Sequence, residues 1–275
     1  MPMTKAFDKI KKEFGKSFGK KNLKSLFFVT VSLVGFVLIW WIAASLYHID
    51  YFPTPDKVYN AFINSFTHDD PFLGINMWQN ISASLQRFAT GFLLAFLLAV
   101  PLGLLMGSSR ILDSLLKPII ELFRPIPPIA WVPIFLIALG FFWGPVFIIF
   151  IGVFFPLTSS VYFGVKSVDP VLLDAARTQG AGPAAIFSKV VLPSTVPHIM
   201  TGIRIGLGIG WMCIVAAEMI GAVGGGVGYY LTVQQLVGNY PALYGGIVVI
   251  ALLGLATTGL SGYVEKRLAQ RMGTK

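Results

Sequence analysis

Residues 174–193 read D-A-A-R-T-Q-G-A-G-P-A-A-I-F-S-K-V-V-L-P, a polar stretch set between long apolar segments. Just before it, Asp169-Pro170 supplies an N-cap and a first-turn proline; Gly180 stops a first short helix, Pro183 opens a second, and Pro193 marks its end. The expected element is a short helix-turn-helix, small at Ala175 and Ala176 and bent at Gly180. Such an element can lie in a groove of another protein.

Composition decides where it lives. With 55% hydrophobic and 12% charged residues among 275, and a mean hydropathy of +0.75, the chain has too little polar surface to coat a soluble globule. An all-α chain embedded in a lipid bilayer is expected. The net charge of +9 raises nucleic acid as a partner, but eight lysines stand in the first 25 residues against Asp8 and Glu13. Beside an apolar run, that leader reads as a cytoplasmic anchor, and no nucleic-acid partner is expected. The run 26–46 is too long for the core of a cleaved signal, so Ala43-Ala44-Ser45 is not read as a cleavage site. Cys213 is the single cysteine, which excludes an intrachain disulfide and a cysteine metal cluster.

Six stretches reach the roughly 20 apolar residues that a bilayer core demands: 26–46, 81–106, 118–139, 145–165, 197–220 and 244–264. The leader, the connection with Arg110 and Lys117, the stretch from Lys166 to Lys189, and the tail with Lys266, Arg267, Arg271 and Lys275 are basic. By contrast, 47–80 carries Lys57 against Asp50, Asp56, Asp69 and Asp70, and 222–243 carries no charge. The bias puts both termini and the D-A-A segment in the cytoplasm. The domain plan is a basic leader 1–25, a six-helix membrane domain 26–265 holding the loop 169–193, and a cytoplasmic tail 266–275.

Catalytic signatures are absent. The chain has no G-x-x-x-x-G-K-[ST] phosphate cradle, no H-E-x-x-H and no G-x-S-x-G, and His48, His68 and His198 are too scattered for a metal site. The run Gly224-Gly225-Gly226 with Gly228 reads as a flexible outer turn. No catalytic residue, metal or cofactor is expected on this chain, so energy has to come from another.

The spans hold several candidates. Gly202, Gly206 and Gly210 form a small-residue stripe that lets a neighbouring helix approach, whereas Arg204, Trp211 and Glu218 recur every seven residues on a face expected to look into a pathway. Arg204 and Glu218 are about 21 Å apart along a helix and cannot pair. Depth offers Glu218 a salt bridge to Arg87, and gives Arg124 a local neighbour in Glu121, one turn below. Arg204 has no evident acid at its depth; it either snorkels to inner headgroups or forms a cationic wall that draws anions. Four prolines within Arg124-Pro125-Ile126-Pro127-Pro128-Ile129-Ala130-Trp131-Val132-Pro133 break the helical ladder, either lining a gate around Pro127 and Pro128 or kinking a packing helix.

The spacing of the opening segment resembles the EAA loop of ABC-importer permeases: E-A-A, three residues, G, nine residues, I-x-L-P. Asp174, Ala175, Ala176, Gly180, Val190, Leu192 and Pro193 fall on its positions, with Asp for Glu and Val for Ile, and Arg177 lies inside it. From Tyr51 onward the chain is similar to the nitrate, sulfonate, taurine and bicarbonate branch of those permeases, through Phe52-Pro53-Thr54-Pro55, Ser84-Leu85-Gln86-Arg87, Arg124-Pro125-Ile126-Pro127 and Val215-Ala216-Ala217-Glu218-Met219.

The resemblance implies a type I importer fold in the plasma (inner) membrane of a prokaryote. It further implies a second permease subunit, identical or a close paralogue, and two ATP-binding subunits that carry ATP and Mg and grip the coupling loop. An extracytoplasmic binding protein would deliver a small anion such as nitrate, bicarbonate, taurine or another sulfonate. A non-anionic small nutrient is the alternative cargo. A secondary, ion-gradient-coupled transporter is the competing class, but it would favour inverted repeats and buried carboxylates, and no repeat is seen. A membrane enzyme would need convergent His, Asp or Cys groups that the chain lacks.

Overall fold

The computed structural model describes residues 20–47, 49–221 and 224–271. Most of the expected basic leader, the end of the tail at 272–275, His48 and Ala222 lie outside them. The chain divides into two units, Met1–Asn60 and Ala61–Lys275. In the first, α1 (Lys20–Tyr47) is apolar from Leu26 on, and the Trp40 indole N–H donates to the Pro53 carbonyl at 3.1 Å. That bond ties α1 to the turn before α2 (Pro55–Thr67), which opens on Pro55 with Asp56 in its first turn.

The second unit is built on three long helices, α3 (Met77–Ser108), α5 (Val132–Lys166) and α8 (Leu192–Gly221). A capping box starts α3: the Asn76 side chain accepts from the Gln79 N–H at 3.2 Å, and the Gln79 side chain accepts from the Asn76 N–H at 3.0 Å. Small residues then let the helices touch. A methyl on Gly91 would lie 2.6 Å from the Val146 carbonyl oxygen, and one on Gly103 2.7 Å from Val161 Cβ, so α3 runs parallel to the second part of α5. On α8, Gly202 faces Leu157 and Gly206 faces Val153, which sets α8 antiparallel to α5, and the expected stripe packs. Ala95, Ala99, Ile149, Val153, Leu157, Ile214 and Ala217 fill the core between these helices.

Five described helical runs are long and apolar enough to cross a bilayer: Leu26–Tyr47, Met77–Ser108, Pro128–Lys166, Pro183–Gly221 and Tyr240–Arg267. Residues 128–139 of the expected span 118–139 thus share one helical run with the expected span 145–165, and its first ten residues lie before that run. Within α5, however, Gly140 sits at φ 76° and ψ −175°, a conformation that glycine adopts without penalty, and the chain reverses there. Leu136 packs on Gly144, Phe135 stacks with Phe147, Phe123 with Phe155, and Asp113 meets Lys166. Each pair is placed almost symmetrically about Gly140. The arm running back along α5 is composite: α4 (Arg110–Phe123), an irregular stretch at the prolines, a 3-10 turn at Pro128–Trp131, and the first residues of α5.

The stretch 222–243 is not a plain loop. It contains α9 (Val227–Leu236), whose Val227, Tyr230, Leu231 and Gln234 are buried at helical spacing. Its short length and lack of charge hide it from a pattern reading. Finally, α10 (Tyr240–Arg271) runs antiparallel to α8, since Trp211 bonds Thr257 and Arg204 bonds Glu265. These directions bring Ser108–Arg110, Lys166 through Pro183 and Lys266 to one end of the unit. The other end carries Met77, Gly140, Gly221 and Tyr240.

Candidate functional site

The D-A-A segment is built almost wholly from local bonds. α6 (Pro170–Thr178) begins with the Asp169 carboxylate accepting from the Val171 N–H at 2.9 Å and Pro170 in the first turn. Asp174 and Arg177 pair at 2.9 Å across one turn, with side chains 70% and 66% exposed, so the pair is a weak surface contact. At Gly180 φ is 78°, and its N–H donates to the Arg177 carbonyl at 2.9 Å while Ala181 N–H donates to Ala176. Among the described residues, no atom outside its neighbours lies within 4 Å of a methyl placed there, so backbone conformation rather than space selects glycine. α7 (Pro183–Ile186) follows.

None of residues 169–194 is buried, and the apolar Val171 and Leu172 are 70% and 52% exposed. A segment bonded mainly within itself, with small and apolar side chains outward, has surface to offer another chain.

Val190, Leu192 and Pro193 do not end the second short helix. A π turn over Phe187–Val191, with the Leu192 N–H on the Phe187 carbonyl, runs straight into α8. Pro193 has no N–H for the carbonyl four residues back, and the wider turn absorbs the loss.

At the opposite end of the unit lies a buried polar clamp. Arg87 and Glu218 form a salt bridge at 2.8 Å, with side chains 5% and 0% exposed. Glu218 also accepts from Ser84 Oγ at 2.8 and 2.9 Å and from the Gly228 N–H at 3.0 Å. Arg87 donates to the Gly225 carbonyl at 2.7 Å, Ser84 Oγ accepts from Val227 N–H, and Asn80 Oδ1 accepts from Gly226 N–H, each at 2.9 Å. The glycine run is therefore a strap held by α3 and α8, not a free outer turn. Asn80 escapes a sequence reading and Ser84 enters it only within the family resemblance, although with Arg87 they form a polar stripe at i, i+4 and i+7 of an otherwise apolar helix.

The seven-residue face of α8 divides. Glu218 belongs to the clamp, and Trp211 is 5% exposed, stacked on Phe88 with its indole N–H on Thr257 Oγ1 at 2.9 Å. Arg204, half exposed, pairs with Glu265. The sequence reading gives Arg204 no acid because Glu265 lies just past the expected end of the last span; α10 continues to Arg271 and brings Glu265 level with it.

Arg124, which the sequence reading pairs with Glu121, makes no ion pair among the described residues, and Glu121 reaches Lys117 at 3.9 Å instead. Lys117, Glu121 and Arg124 line a cavity of about 40 Å³ with Thr158, Ser159 and Tyr162. Pro127, at φ −58° and ψ 130°, caps the 3-10 turn that Pro128 begins, so the prolines do interrupt the arm.

Below the cavity, Asp113 accepts from Lys166 at 3.0 Å and from the Tyr162 hydroxyl at 3.1 Å. The Lys166 bond holds its carboxyl below the ordinary carboxylate range. Asp113 gave no sequence signal, since it is one acid in a basic connection.

Residues 99–270 match the family described as binding-protein-dependent transport system inner membrane component. A putative ABC transporter permease of Methanocaldococcus jannaschii is 39% identical over 265 residues, covering 90% of this chain and 93% of the relative. The taurine transport system permease TauC of Escherichia coli is 36% identical over 244 residues, covering 86% of each chain. The nitrate import permease NrtB of Leptolyngbya laminosa is 36% identical over 192 residues, covering 70% of this chain and 68% of the relative. In fold, the chain resembles the inward-facing MetNI methionine ABC transporter, with a TM-score of 0.59 at 19% identity over 74% of this chain and 99% of that one.

Proposed function

The chain belongs to the binding-protein-dependent transport system inner membrane components, and from that premise we propose that it forms, with a second permease subunit, the path by which a small anion enters the cell. It is an ABC importer permease, a multi-pass inner-membrane protein of a family whose members are not themselves catalytic. The observation that carries the reading is the unburied segment 169–191, which sits at the basic end of the helical unit. Two ATP-binding subunits, with ATP and Mg bound to them, grip α6 around Ala175, Ala176 and Val171, and their closure is passed through the π turn into α8. A binding protein delivers cargo at the opposite end. The second permease is a copy of this chain or a close paralogue.

Six crossings follow if the composite arm, over its apolar part 118–139, counts as one beside α1, α3, the rest of α5, α8 and α10. The antiparallel pairs about Gly140 support that count, and the shared basic end supports cytoplasmic termini in a prokaryotic plasma membrane. Arg87, Trp211 and Glu218 act as an internal brace rather than pathway lining, because each is 5% exposed or less. Arg124, Pro127 and Pro128 are the pathway candidates, with Arg204 and Glu265 at the inner rim. The anionic class is supported by the names of TauC and NrtB and by Lys117 and Arg124 beside the cavity.

The test is uptake by the chain co-assembled with its ATP-binding subunits and binding protein in proteoliposomes, using labelled nitrate, bicarbonate and taurine in competition. Uptake should need ATP, stop with vanadate and survive an uncoupler. Uptake that outlasts ATP depletion and collapses with the uncoupler would make the chain a secondary transporter.

A further inference from the structure

Charge at membrane depth singles out one face of α4. The pairs Asp113–Lys166 and Phe123–Phe155 set α4 antiparallel to the last part of α5, so Arg124 stands level with residues near 155. That is some ten residues from Lys166, or about 15 Å into the bilayer at 1.5 Å per residue. Lys117, Glu121 and Arg124 follow at spacings of four and three and share a face. The Lys117 and Glu121 side chains are 51% and 64% exposed, and Arg124 is exposed too. Exposed charge at this depth faces water or a partner, not lipid.

The chemistry of that face is cationic. Lys117 and Glu121 offset each other at 3.9 Å, which leaves Arg124 with a full charge and no ion pair among the described residues. Across the cavity, Ser159 and Thr158 present hydroxyls; Thr158 Oγ1 already donates to the Phe154 carbonyl, whereas the Ser159 hydroxyl has no hydrogen-bond partner among the described residues. A guanidinium fork and a free hydroxyl are the donors that a small oxyanion accepts from.

We propose that the cavity between α4 and α5 is an anion station on the inner half of the pathway, in which Arg124 and Ser159 hold a nitrate- or sulfonate-type oxyanion and Glu121 keeps the hold loose. A conducting site has to bind well enough to admit an ion and weakly enough to release it, and the acid one turn from Arg124 serves the second need. The station's place on a transport path rests on the permease reading, but its field can be measured without transport.

A single cysteine, Ser159→Cys in a Cys213→Ala background, reports that field in the assembled complex in lipid vesicles. It should react with both an anionic sulfonate and a cationic trimethylammonium methanethiosulfonate, and faster with the anionic one. Arg124→Gln should lower the anionic-to-cationic rate ratio by about sevenfold, because a potential of roughly one kT per unit charge acts on the two reagents in opposite senses. Arg124→Lys should keep the ratio, Glu121→Gln should raise it, and nitrate should slow the reaction only while a cation stands at 124. No reaction with either reagent would mean lipid or protein covers the face, and a ratio indifferent to Arg124→Gln would mean no anion field; either overturns the station. Loss of ATP-driven uptake in the parent complex with the ratios intact would instead overturn the permease reading.

Discussion

Arg87 of α3 and Glu218 of α8 meet at 2.8 Å inside the protein, and the same two side chains hold the backbone of Gly225 and Gly228. Taking away one partner leaves a charge buried without its counter-ion, at a cost of about 3–5 kcal/mol. Arg87→Ala and Glu218→Ala should each lower the thermal midpoint of the detergent-solubilised protein sharply. The double exchange Arg87→Glu with Glu218→Arg should recover only part of the loss, because a carboxylate at 87 cannot donate to the Gly225 carbonyl and a guanidinium at 218 cannot accept from the Gly228 N–H. Full recovery would show that the strap bonds contribute nothing.

The strap itself separates space from backbone conformation. A methyl on Gly226 would lie 2.5 Å from the Glu218 carboxyl carbon, at φ 142°, whereas one on Gly224, at φ 84°, meets nothing within 4 Å among the described residues. Gly226→Ala should therefore destabilise far more than Gly224→Ala, which pays only the left-handed backbone cost of about 1–2 kcal/mol. Equal thermal shifts would mean that Glu218 yields freely.

In the coupling segment, Gly180 combines φ 78° with an N–H donated to Arg177. Gly180→Pro removes the donor and forbids the angle, while Gly180→Ala strains only the angle. The proline variant and Ala176→Glu should insert in the membrane at normal levels yet lose ATP-driven uptake at least tenfold, with Gly180→Ala keeping most of it. Normal uptake in the first two would reduce the segment to a connector.

The Asp113–Lys166 pair carries a pH signature. Because Lys166 holds the Asp113 carboxyl below its unfolded value, the pair's contribution is fully present above the unfolded pKa of about 3.9 and is lost as pH falls through the folded one. The thermal midpoint of Asp113→Asn should lie below that of the parent by a constant gap from pH 7 to about 5, and the gap should close below about pH 4. A gap that widens toward acid would contradict the assignment.

Much of this architecture is legible in residues 26–264. The apolar runs, the small-residue stripe on α8 and the partnership of Arg87 with Glu218 follow from periodicity and depth, and the D-A-A spacing is read through the resemblance. What escapes is set by backbone events that hydropathy does not register. Gly140 turns one helical run into a hairpin, and Pro193 enters α8 through a π turn instead of ending a helix. Glu265 finds Arg204 because α10 outlasts its apolar stretch. The glycine strap is ordered by partners more than 130 residues away, as in the Asn80 and Ser84 bonds to Gly226 and Val227, which no local pattern encodes.

On the proposed function, the ATP-binding subunits attach at the exposed segment around α6. A photo-crosslinking benzoylphenylalanine placed at Val171, 70% exposed, and another at Leu236, 81% exposed at the opposite end, test it in the assembled complex. Position 171 should give a covalent adduct with the ATP-binding subunit and position 236 none, read by mass spectrometry. No adduct from 171, or an equal adduct from both, would contradict it.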